Sequence, residues 1–213
     1  MIAVDVDAVL RAQGAEPAKV RSRSPRIVAL AERALREGLP LIAPAVIARR
    51  FAVTERTHNA LRFGDGGKLS GPLIAAECAP AEEIVVMAVT IGAALEHAAA
   101  LAMANEPAFA LALDGLGTAA VEALADAEAG ALGAGAGTPL SPGMEGWPLA
   151  SGQREIFALL GDGPHPIRLM DSGMMEPRKS ISLVIGLGPA MKTGASHCDF
   201  CSSRDRCRHR RAS

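Results

Sequence analysis

The 213-residue chain carries 22 Lys and Arg against 23 Asp and Glu, a formal net charge of −1. That balance lacks the basic field that general nucleic-acid binding needs, so nucleic acid is not the expected partner. Apolar residues make up 49% and aromatics 3%, with no Tyr, which calls for a core of Ala, Val, Leu and Ile with Met filling gaps. No apolar run reads as long as a membrane span, and the start has no charged-then-apolar leader, so a cytoplasmic protein is expected.

At the start Ile2, Val4 and Val6 alternate with polar or small residues, consistent with a strand or a short helix. Residues 15–25 are polar and basic and read as a surface connection. Ser24-Pro25 is a helix start, a hydroxyl followed by Pro in the first turn. Ile27, Leu30, Ala31 and Leu35 continue that helix until Gly38 and Pro40 end it. From 41 to 63 the signal is mixed: Val46, Phe51 and Val53 suggest extended chain, broken by Arg49 and Arg50. Gly64, Gly66 and Gly67 mark a turn. A short helix over 71–79 holds Cys78. Residues 84–91 form an unbroken apolar run, expected as a strand buried on both faces. Gly92 opens an Ala-rich helix to about Met103. Pro107 opens a longer one through Glu128, with Leu111, Asp114, Gly117 and Val121 sharing a face. Residues 129–137 read as a flexible connection.

Pro139, Pro142, Gly143, Gly146 and Pro148 then enforce a loop over 138–149, because no helix or central strand tolerates that density of Pro and Gly. A short helix over 153–160 follows. Two apolar runs joined by a turn at 174–177 end in an alternating strand, Ile181, Leu183, Ile185 and Leu187, with one face in a core. Residues 1–190 form the main body and 191–213 a Cys- and Arg-rich tail outside it.

The motifs SPGMEGWPL, REIFALL and DSGMMEPRKSIS resemble the C-terminal signature of the reactivation domain of cobalamin-dependent methionine synthase, and are closer still to small stand-alone proteins related to that domain. Weaker echoes lie at 8–14 and 89–96. With the element pattern, the resemblance implies an α+β fold, a mostly antiparallel twisted sheet packed by Ala-rich helices. It further implies reactivation of a corrinoid methyltransferase in trans. Cobalamin carried by the partner, trapped as cobalt(II), would take one electron from a reductant and then a methyl group from S-adenosylmethionine. In the family the loop around Ser141, Pro142, Gly143, Met144 and Glu145 binds that donor. An Arg precedes the Gly there and a Tyr follows it; here the Arg position falls near Pro139 and the Tyr position is Met144. Both polar contacts of the family loop are therefore missing. Glu122 on the long helix lies where the family places acids near the sulfonium, and Met174 and Met175 belong to the signature turn, facing either the corrin or the core.

Cys198, Cys201 and Cys207 have C-x2-C-x5-C spacing, more suited to a metal in a reducing compartment than to disulfides. Zinc and iron–sulfur clusters both want four ligands, so a fourth would come from His197, His209, Cys78 or outside. An iron–sulfur cluster, structural zinc and idle thiols remain the alternatives. In the corrinoid reading the tail is the electron entry. A second reading keeps the fold and makes the chain a non-catalytic binding or assembly subunit of a corrinoid methyltransferase. A third is a zinc-stabilised nucleic-acid binder using the Arg-rich tail.

Overall fold

The central strand, β4 (Glu83–Thr90), is apolar along its length because both of its faces are covered. The computed structural model describes residues 2–195, 197–201 and 204. On one side β4 pairs antiparallel with β1 (Ala45–Arg56), on the other with β7 (Ser180–Leu187). With β2 (Ala60–Phe63) and β3 (Lys68–Ser70) the five-stranded order is β3-β2-β1-β4-β7. One face carries α1 (Val6–Ala12), α2 (Pro17–Arg23), α3 (Pro25–Gly38), α5 (Ala94–Met103) and α6 (Pro107–Gly130) over Val85, Met87, Val89, Leu183 and Ile185. The other carries α4 (Pro72–Glu77), α7 (Leu149–Leu160) and the loop between α6 and α7 over Ile84, Val86, Ala88 and Val184. A separate two-stranded hairpin, β5 (Arg168–Leu169) with β6 (Met175–Glu176), precedes β7.

This is the α+β, mostly antiparallel arrangement expected from the sequence, with several local corrections. Residues 15–25 are not a plain connection: α2 forms there, opened by Pro17. The chain start resolves as α1, with Asp5 capping the Ala8 N–H at 2.7 Å. Arg49 and Arg50 do not break β1. Arg49 lies 5.0 Å over the Phe51 ring and donates to the Leu159 carbonyl at 2.7 Å, while Arg50 meets Glu83 at 3.2 Å. Their charges are handled at the surface, so the strand runs through.

Strand β7 has both faces buried rather than one, because α7 lies on the side that Ser182 and Val184 present. Ser182 answers for its hydroxyl by donating to Gln153 Oε1 at 2.9 Å, a buried pair. Leu111 is 57% exposed and so does not share the inward face of Gly117 and Val121. The turn of the hairpin lies at Met170 to Met174 rather than at 174–177: the Met170 N–H donates to the Met174 carbonyl at 2.8 Å.

Helix α6 also corrects the reading of the apolar runs. At 24 residues it is long and apolar enough to cross a membrane, although 61% of its most apolar stretch is buried within the fold, as a core helix requires. Gly115 lets α1 cross it: a Cβ there would stand 2.8 Å from Gln13 Cγ and 3.1 Å from the Val9 carbonyl.

Between the helices, Arg33 on α3 stacks 3.8 Å over the Phe109 ring and pairs with Glu106 at 2.5 Å and Glu37 at 3.1 Å. The hydrogen bonds from Arg33 hold the Glu106 carboxyl below its ordinary range. A depressed folded-state pKa adds stability above the unfolded-state value, and that increment is lost as pH falls through the folded-state value. Thermal unfolding followed from pH 7 to pH 3 is expected to show a steeper loss of Tm for the natural protein than for Glu106→Gln, with the curves converging at the acid end.

Candidate functional site

The loop between α6 and α7 is not a flexible connection at its start; it is stitched to the outer edge of β7. The Gly188 N–H donates to the Gly135 carbonyl at 3.0 Å and the Gly137 N–H to the Gly186 carbonyl at 2.8 Å. Leu140 and Val184 exchange both hydrogen bonds, at 2.9 and 2.8 Å. An exposed edge strand would be a template for unwanted pairing, and this segment covers it.

Beyond Leu140 the chain turns under the sheet. Trp147 is fully buried, seated between Gly71 and Gly152, and its Nε1 has no partner among the described residues. The loop closes on itself: Gly143 N–H to Trp147 O at 2.8 Å, Trp147 N–H to Met144 O at 2.9 Å, Met144 N–H to Ser141 O at 3.3 Å. The Ser141 N–H faces Met144 Sδ at 3.4 Å. Met144, at the Tyr position of the family pattern, is 8% exposed and turned into the second core cluster. Ser141 and Pro142 are half-buried, and Gly143 and Glu145 exposed.

A shallow crevice opens where the last turns of α6 face this segment. It is lined by Asp126, Ala129 and Gly130 of α6 and by Gly133, Ala136, Gly137 and Pro139 opposite. Glu122 stands exposed one helical turn before Asp126, on the same stripe. An acidic wall at a helix C-terminus, facing a glycine-lined backbone edge, favours a cationic group such as an ammonium or sulfonium. The seven residues around this crevice carry one ionisable side chain, Asp126.

Met174 and Met175 are not brought to that crevice. They sit in the β5–β6 hairpin, towards the Ser180 end of β7, whereas the loop pairs with Val184 and beyond. Met174 is 55% exposed, and Met175 packs against the second cluster. What the signature contributes instead is Lys179. Its stem lies on Gly117 of α6, its Nζ meets Asp114 Oδ1 at 2.7 Å and donates to Thr118 Oγ1 at 2.9 Å. Next to it the Arg178 N–H donates to Glu96 at 2.9 Å. Lys179 is thus a strut that ties the turn to the helical layer. The pairing with Asp114 had a signal in the sequence only in the shared helical face of Asp114 and Gly117.

Cys198 and Cys201 lie in one 3-10 turn (His197–Phe200) and its exit, both half-buried, with the Cys201 N–H donating to the Cys198 carbonyl at 3.3 Å. Cys207 lies outside the described residues. Two thiols on one turn are half of a four-ligand set, and among the described residues no group of three or more His, Cys, Asp or Glu is placed to hold a metal. Cys78 is buried at the end of α4, and burial, with Glu77 nearby, pushes its thiol up to about 12. It is an inert core residue rather than a nucleophile. Beyond residue 190, Met191 and Phe200 pack against the second cluster.

Among solved structures, the chain is similar to the crystal structure of the MetH reactivation domain bound to AdoHcy, with a TM-score of 0.65 and 16% identity. The match covers 83% of this chain and 69% of that one. The fold is that of the MetH reactivation domain. No protein-family model matches the sequence, and no curated protein matches it. At this identity the reactivation-domain likeness is one of architecture, which is the level at which the chain and the MetH domain are related.

Proposed function

We propose that this chain serves a corrinoid methyltransferase as a stand-alone reactivation protein, holding an S-adenosyl ligand between the end of α6 and the loop that edges β7. The observation that carries this reading is the shared fold with a reactivation domain bound to AdoHcy. The crevice between Asp126 and Pro139 supports it, because its acidic side would favour the sulfonium of S-adenosylmethionine over the neutral thioether of the demethylated form. Cobalamin belongs to the partner in this reading. In this reading the methyl group comes from S-adenosylmethionine and the single electron from a separate one-electron donor protein.

Calorimetric titration tests the ligand. S-adenosylmethionine is expected to bind with micromolar affinity, and Asp126→Asn to weaken it several-fold more than it weakens S-adenosylhomocysteine. No heat with either ligand would overturn the S-adenosyl reading.

One observation favours a second reading. The loop spends the N–H groups of Ser141, Gly143, Met144 and Trp147 on itself, and Met144 is turned inward where the family pattern has a polar Tyr. A loop so closed suits a non-catalytic subunit that docks on the methyltransferase, and a silent titration combined with stable complex formation would support that function.

A further inference from the structure

Strand β1 is 12 residues long, whereas its hairpin partner β2 has four and ends at Phe63, opposite Val53. The first half of β1 therefore has a neighbour on one side only, where β4 pairs with it from Ala45 to Ala52. The alternation of the ladder fixes which groups are left over. The Val53 N–H donates to the Glu82 carbonyl at 3.0 Å, in register with the β1–β4 pairs, so the odd-numbered residues of this half turn their N–H and C=O towards β4. Val46, Ala48 and Arg50 turn theirs outward, and among the described residues no strand lies beyond them. All three residues are exposed.

An open edge is commonly guarded by a bulge, a proline or a short length. The bulge of β1 comes later, between Val53 and Glu55, and residues 45–52 contain no proline. Arg49 is drawn onto the Leu159 carbonyl and the Phe51 ring, and the Arg50–Glu83 pair is exposed and so readily exchanged. Beside this edge Val46 lines an apolar crevice with Ile2, Pro44, Leu124 and Ala127, and Glu128 is the charged residue in its lining. Glu128 is half-buried, and its carboxylate has no ion-pair or hydrogen-bond partner among the described residues.

We propose that the open edge of β1 pairs antiparallel with the same edge of a second copy of this chain, about a two-fold axis at Ala48. Val46 then faces Arg50 of the second copy and Ala48 faces its own equivalent, and each facing pair exchanges two N–H···O bonds. Charge selects this partner and this register. Arg50 of the second copy arrives beside the crevice that holds the unpaired Glu128, and Arg49 of the second copy faces Ile47, so no arginine faces another. Moving the axis to Arg49 would set that residue against itself. Moving it to Ile47 would bring Pro44, which has no N–H, opposite Arg50.

Analytical ultracentrifugation of the full-length chain tests the pairing. The joined edge is small, so a dimer with a dissociation constant of about 1–100 μM is expected. Amide hydrogen exchange should show Val46, Ala48 and Arg50 protected about tenfold or more in concentrated over dilute protein, because these are the amides the second copy covers. Arg50→Glu and Glu128→Lys should each weaken the dimer about tenfold, since two-fold symmetry counts each reversal twice. The double variant should return to within about threefold of the natural protein. Ala48→Pro should give a monomer with unchanged circular dichroism, because a proline is tolerated where its nitrogen faces solvent at a sheet edge; the charge exchange decides the matter if that variant does not fold. A natural protein still monomeric at about 0.5 mM would overturn the proposal. So would a dimer that leaves those three amides unprotected, or a double variant no tighter than either single one.

Discussion

Trp147→Ala is expected to destabilise the protein by about 3–5 kcal/mol, the range for emptying a fully buried aromatic site. The indole is fully buried and is the plug on which the loop closes. Gly143 N–H binds its carbonyl at 2.8 Å, and its own N–H binds Met144 at 2.9 Å. Gly71 and Gly152 form the slot, where a Cβ would come within 3.0 and 2.8 Å of the ring. Little around the slot can collapse into the vacancy, because β3, α4 and α7 bring backbone there. In urea the midpoint should fall with the slope unchanged, and Tm should drop by roughly 10 °C. Trp147→Phe should cost less than half as much. It keeps a ring in the slot and removes the buried Nε1 donor that has no partner among the described residues. An alanine variant within about 1 kcal/mol of the natural protein would mean that the loop is not anchored by Trp147.

Lys179→Ala is expected to cost about 2–3 kcal/mol, from buried methylenes and one hydrogen bond. The side chain is 17% exposed, whereas its partner Asp114 is 60% exposed. The ion pair is therefore mostly screened, and what holds is the stem packed on Gly117 and the bond to Thr118. The prediction separates these contributions. Lys179→Met keeps the stem and should retain more than half of the stability, while Asp114→Asn should shift it by no more than about 0.5 kcal/mol. Chemical denaturation of the three variants decides the matter; a large Asp114→Asn effect would show that charge, not packing, ties the turn to α6. Because the Lys179 carbonyl also accepts from Ile91 at 3.2 Å, loss of the strut should loosen the start of β7 and the hairpin before it.

The elements most legible in the chain were those whose local pattern and final environment agree. Residues 84–91 are apolar throughout and became the central strand; Ser24-Pro25 to Gly38 is a punctuated amphipathic helix and became α3. Misreadings arose where a distant partner overrides the local pattern. Arg49 and Arg50 look like breaks until Phe51, Leu159 and Glu83 are seen to receive them. Ser182 looks like the wet side of β7 until Gln153, 29 residues away, closes over it.

The candidate site divides in the same way. The density of Pro and Gly over 138–149 was enough to require a loop at that point, since those residues cannot be accommodated in a helix or a central strand whatever surrounds them. Which loop donors remain available, that Met144 turns inward, and that Met174 and Met175 do not line the crevice are consequences of long-range pairing. Backbone conformation is restricted residue by residue and so can be read along the chain. Hydrogen-bond partners and burial depend on residues far apart in sequence, such as Glu145 with Phe200 or Lys179 with Asp114, and exist only once the sheet has brought them together.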